Sequence, residues 1–149
     1  MTTPVHRRQP VLVMETGVNP VVGGGPAGWV SGNPSGLADG ATVTVIFDLG
    51  PEWDQYPALQ LIVYPVGAAS FTALQVLGSD TSAYIIRRRL RPLNNTGDFA
   101  TFYNTVPTAG GPAAAYLRPA GRYITVIATN TAGSGAMGAS ACTLVAYPA

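Results

Sequence analysis

The 149-residue chain has no lysine, one histidine and one cysteine, and charged residues make up only 10% of it. Without lysine there is no P-loop lysine, no Schiff-base amine and no Ser-Lys nucleophile; all eight basic residues are arginine. His6 alone cannot supply a Ser-His-Asp triad from within an N-terminal stretch that reads as an extended arm. A lone Cys142 leaves no intrachain disulfide, and His6 with Cys142 is too small a set for a zinc site, so Cys142 is expected as a small core residue. No apolar run approaches the 18 residues of a membrane-spanning helix, and "MTTPVHRRQP" lacks the apolar stretch of a secretory signal. The expectation is a soluble protein made in the cytoplasm, without membrane contact and with no cofactor.

The scarcity of charge has a second consequence. Charged residues usually make up about a quarter of a globular chain, so much of this surface must be Thr, Ser, Asn, Gln, Gly and Ala, a composition suited to packing against other proteins. A formal net charge of +1 gives no general field for nucleic acid.

The chain does contain "VVGGGPAG", in which Gly23, Gly25 and Gly28 have the G-x-G-x-x-G spacing of dinucleotide-binding loops. That motif works only between a strand and a helix N-terminus, with an acidic residue about 20 positions on. Asn19 and Pro20 leave just Val21 and Val22 as a feeding run, and Gly32, Pro34, Gly36 and Gly40 oppose a helix afterwards. The stretch is expected to be a glycine-proline loop, and flavin or nicotinamide binding is not expected.

A hydrophobic content of 47% in one domain's length can bury a substantial core, and Gly 18 with Pro 13 supply many turns. Eight β-rich runs stand between those turns: Val11 to Met14, Ala41 to Leu49, Leu59 to Val66, Phe71 to Leu77, Ala83 to Arg91, Phe99 to Val106, Arg122 to Asn130 and Ala139 to Tyr147. In "ATVTVIFDL" the alternation puts Val43, Val45, Phe47 and Leu49 on one face. Only "PEWDQY" and "PAAAYLR" have room for a turn or two of helix, with Pro51 and Pro112 at the first helical position. The reading is an all-β, single-domain antiparallel β-sandwich, a jelly roll ahead of a Greek-key sandwich. Residues 1–40 form an arm and a Gly/Pro-rich loop with one short strand, and residues 41–149 form the sandwich. Val43, Val45, Phe47, Leu61, Val63, Ile124, Val126 and Leu144 are predicted core residues.

Three features invite a functional reading. Glu52 and Asp54 flank Trp53, but paired glycosidase carboxylates stand about 5 to 9.5 Å apart across a cleft, which would need a facing Asp80 or Asp98; solvated turn carboxylates fit better. Trp29, Trp53, Tyr56 and Tyr64 fit a sugar-stacking platform or, more simply, core and interface packing. "IIRRRLRP" sets Arg87, Arg89 and Arg91 on one face of a strand, suited either to a row of carboxylates on a protein partner or to a charged edge that resists aggregation. Arg7 and Arg8, in the arm that runs into "QPVLV", extend the candidate contact set, and such an arm can lie across a neighbour as an added strand.

The C-terminal "PAGRYITVIATNTAGSGAMGASACTLVAYP" joins a strand entered through Gly-Arg-Tyr and ending in Ala-Thr-Asn to a Gly/Ala/Ser loop and a final Thr/Val strand. This resembles the closing hairpin of small jelly-roll virion proteins of tailed phages, in particular head decoration or cement proteins. The resemblance extends as a strand pattern over residues 41–149. It implies a non-enzymatic, homo-oligomeric protein that binds the major capsid protein lattice from outside and braces it. The other reading is a carbohydrate- or receptor-binding module of a tail or fibre, for which exposed Trp or Tyr in a shallow groove is the mark.

Overall fold

The computed structural model describes residues 11–18, 27–64, 71–79, 87–89, 113–133 and 135–149. Nine strands occur among them: β1 (Leu12–Glu15), β2 (Gly28–Ser31), β3 (Thr42–Asp48), β4 (Ala58–Tyr64), β5 (Phe71–Ser79), β6 (Arg87–Arg89), β7 (Ala113–Leu117), β8 (Tyr123–Asn130) and β9 (Ala141–Tyr147). They form a four-stranded sheet, β1-β9-β4-β7, and a five-stranded sheet, β2-β3-β8-β5-β6.

Setting β2 aside, the pairing has a simple rule. The first strand pairs with the last, β1 with β9; the next inward, β3 with β8; then β4 with β7 and β5 with β6, all antiparallel. This is one long antiparallel ribbon rolled up, and its turns join through β4 with β9 and β5 with β8. That winding is the jelly roll, with β2 added beside β3 as an extra edge strand.

Alternation then builds the core. From the four-stranded sheet, Met14, Leu144 and Leu61 share one inward row, and Ala146, Leu59 and Leu117 the next. From the other sheet, Phe47 with Ile124, and Val45 with Val126 and Val76, face them. All belong to one buried cluster. Seven of the eight predicted core residues are buried; Val43 is half-buried, because it is the first inward position of β3 and packs only at the margin of the cluster.

Three differences from the sequence reading have physical causes. "PAAAYLR" yields β7 instead of a helical turn, since pairing of Ala113–Leu117 with β4 satisfies its backbone and outweighs the helix propensity of three alanines. β2 was not expected; Trp29 and Ser31 join it to β3 through an irregular register that simple alternation does not reveal. The first forty residues thus contribute two strands, and Leu12–Glu15, from the arm's "QPVLV", pairs with β9 of its own chain. At "PEWDQY" a single 3-10 turn forms over Trp53–Gln55, led by Glu52, so Pro51 precedes it. The run Phe99 to Val106 lies outside the described residues.

Candidate functional site

In an antiparallel sandwich the outward positions are ordinarily polar. On the four-stranded sheet they are not. The outward row through Val13, Val145, Gln60 and Tyr116 is followed on one side by Glu15, Thr143 and Ile62 and then Ala141 and Tyr64, and on the other by Tyr147 and Ala58. Val13 is 67% exposed and Tyr116 43%, with Val11, Tyr64 and Tyr147 also open to solvent. Five of the six large exposed hydrophobics among the described residues thus lie on, or lead into, this one face. Glu15 is the one charged residue within its strand rows among the described residues. The Tyr147 hydroxyl donates to Gln60 Oε1 at 2.9 Å, so even this polar pair is satisfied within the face.

The outward face of the five-stranded sheet differs. Ile46, Leu77 and Ile127 are half-buried there, and Thr125, Asp48 and Ser79 are buried. Asp48 is held by Arg122, whose Nε and Nη2 donate at 2.7 and 3.0 Å, while the Gly50 amide donates to the same carboxylate at 2.7 Å. The Asp48 hydrogen bond is the first cause of the raised Arg122 pKa. Arg122 also lies over the Tyr123 ring, 5.4 Å from its centroid. Arginine and carboxylate here tie β3 to the start of β8. A second polar node fixes the opposite end: Asn130 Nδ2 donates to the carbonyls of Leu37, Ala38 and Gly135, and Asp39 accepts from the amides of Gly133 and Gly135.

The predicted site residues fall as follows. Arg87 and Arg89 are in β6, in register with Ser79 and Leu77, while Arg88 is in register with Gly78. β6 ends the described five-stranded sheet, a placement common to the edge-strand and partner-contact readings. Arg7, Arg8 and Arg91 lie outside the described residues, as do Asp80 and Asp98. Gly23 and Gly25 lie outside as well, but Gly28 opens strand β2, so no helix begins there to receive a pyrophosphate. Trp29 is half-buried and its indole N–H is taken up by the Gly32 carbonyl at 2.7 Å. Tyr56 is buried, its pKa raised first by burial and then by Glu52, which removes it from any stacking platform.

Trp53 is placed differently. Half-buried, it lines an open groove of about 610 Å3 with Asp54, Pro57, Ala58, Arg118 and Pro119. Glu52 and Asp54 are both exposed on the turn. Among the described residues no three His, Cys, Asp or Glu side chains come together as a metal site.

Cys142 is fully buried, and burial pushes its thiol up to about 12. The thiol therefore stays protonated in the fold while the unfolded chain ionises above its usual 9.0. Stability from this group is complete below pH 9 and is lost as the pH rises toward 12, at about 1.4 kcal/mol per pH unit. Equilibrium unfolding of the parent should show that alkaline decline, and Cys142→Ala should lack the part that begins near pH 9. A parent profile equally flat from pH 8.5 to 10 would contradict the burial of this thiol.

The exposed row was hidden from sequence reasoning except at Tyr64. Its signal was present in "LIVY" and "TLVAY", where apolar residues occupy both parities of a strand. Compared with known family models, curated proteins and solved structures, the chain matches none.

Proposed function

We propose that this chain is a non-enzymatic virion accessory protein that binds the outside of a preformed phage capsid, as a homo-oligomer, with the outward face of the four-stranded sheet as its main contact. The observation that carries this reading is that face: a paired surface on which Val13, Tyr64, Tyr116 and Tyr147 are exposed beside the half-buried Ile62 and the buried Val145, with one charge in its strand rows among the described residues. Contiguous exposed apolar surface marks a place where another macromolecule sits. Tyrosines suit a protein partner, since they offer large apolar area with a polar handle and lose little conformational freedom on docking.

The sheet's planar extent supports repeated, modest contacts. Four strands at about 4.8 Å spacing and seven residues at about 3.4 Å cover on the order of 450 Å2, below the roughly 800 Å2 per partner of a stable pairwise complex. A lattice compensates by multiplicity, because copies tethered to one surface gain avidity without new contacts. Arg87, Arg89 and Arg91, with Arg7 and Arg8 of the arm, add guanidiniums able to pair with carboxylates of the capsid protein.

The test is cosedimentation with capsids of the phage that encodes the chain. Val13→Glu with Tyr116→Glu should cut occupancy at least about tenfold, a loss of roughly 1.4 kcal/mol or more per site, while the circular dichroism of the free protein stays that of the parent. Arg87, Arg89 and Arg91 replaced together by Ala should reduce occupancy by a smaller factor. Full decoration by the Val13/Tyr116 variant would remove the sheet face from the contact, and a parent that ignores capsids would end the reading.

A further inference from the structure

The groove beside Trp53 adjoins the apolar face at Ala58, and its chemistry is different. Its lining joins Ala58, the outward position that opens β4, to two further segments: the 3-10 turn with Trp53 and Asp54, and the exit of β7 with Arg118 and Pro119. The turn is braced. Tyr56 behind it is buried, the Gln55 amide bonds the Glu52 carbonyl, the Tyr56 amide bonds the Trp53 carbonyl, and the Ala149 amide donates to Gln55. The far side of Trp53 packs against the core, which holds the indole in place. At about 610 Å3 the groove is within the 300 to 1,000 Å3 range of small-molecule sites.

We propose that this groove binds a neutral oligosaccharide of pyranose sugars. An indole offers an apolar platform to the C–H face of a sugar ring, while a carboxylate and a guanidinium on either side accept from and donate to its hydroxyls. Asp54 and Arg118 supply that pair: both are exposed, they line the groove from separate segments, and neither is held by an ion pair among the described residues. One carboxylate and one guanidinium among the lining residues leave the groove without net charge, which suits uncharged sugars over uronic or sialic acids. The open, proline-edged shape admits a chain rather than enclosing a single ring. The groove meets the strand rows of the apolar face at Ala58 alone, and sugar binding is measured on the free protein, so its outcome does not depend on the capsid contact.

The experiment is calorimetric titration of the full chain with cellopentaose, maltopentaose and chitopentaose, with tryptophan fluorescence recorded in parallel. At least one is expected to bind with a Kd of about 1 mM or tighter and to perturb Trp53 emission. Arg118→Ala and Asp54→Asn, at exposed positions that leave the fold intact, should each weaken binding about tenfold. The absence of heat and of any fluorescence change with all three sugars would overturn the proposal. Binding that both variants leave unaltered would overturn it too, by placing the sugar elsewhere.

Discussion

Replacing Gly32 by alanine is expected to lower the unfolding free energy by about 3 kcal/mol or more, enough to threaten the fold of a marginally stable domain. Gly32 follows β2 with φ +82°, a conformation that already disfavours any side chain, and a Cβ built there runs into the Thr44 carbonyl of β3. Neither partner can yield easily. The clash is with main chain in a strand paired to β8, and the Gly32 carbonyl is itself held by the Trp29 indole. Gly36 is the control, because it has a similar φ of +69° but open space around it. Gly36→Ala should cost only about 1 kcal/mol, the backbone penalty alone. Urea unfolding followed by tryptophan fluorescence reads both, and equal midpoints for the two variants would contradict the close approach of Gly32 to β3.

A comparable loss, about 3 to 5 kcal/mol, is expected for Phe47→Ala. Phe47 is fully buried and stands in an inward row between Trp29 of β2 and Ile124 of β8, so it packs three strands of one sheet against the other. Truncation leaves a cavity that the paired backbones on both sides cannot close. Phe47→Leu keeps most of the volume and should cost less than about 1.5 kcal/mol. The difference between the two midpoints measures the packing itself, and a Phe47→Ala variant as stable as Phe47→Leu would mean that the site collapses freely.

Phe47 also illustrates what could be read from sequence. In "ATVTVIFDL" the period of two assigned its face correctly, and the same signal located Val45, Ile124, Val126 and Leu144. Strand pairing produces that period, so it is written locally. β7 was unreadable for the complementary reason: "AAAYL" has small side chains and no alternation, and becomes a strand only because β4 offers it a partner. β2 depends on a register shift and on Gly32 meeting Thr44, both of which are contacts across the fold.

The candidate surface was legible only in fragments. Arg87 and Arg89 stand out in the sequence as part of a charge cluster, and both fall in β6, in register with Ser79 and Leu77, while Arg91 lies outside the described residues. The apolar face gives no such local cue, because Val13, Tyr116 and Tyr147 lie far apart in sequence and become neighbours through β9 and β4. Trp53 was singled out by type, but Arg118, its partner across the groove, was not, since nothing in "LRPAG" indicates that β7 ends beside the Trp53 turn.

On the proposed capsid contact, the outward face of the four-stranded sheet is covered when the protein is bound. Hydroxyl-radical footprinting of free and capsid-bound protein measures this directly, because tyrosines report their own exposure. Strong protection of Tyr64, Tyr116 and Tyr147 is expected on the capsid, with Val13 protected alongside them, and little change at Trp53, which lies outside the strand rows of that face. Oxidation of those three tyrosines at the same rate in both states, on capsids shown to carry the protein, would contradict it.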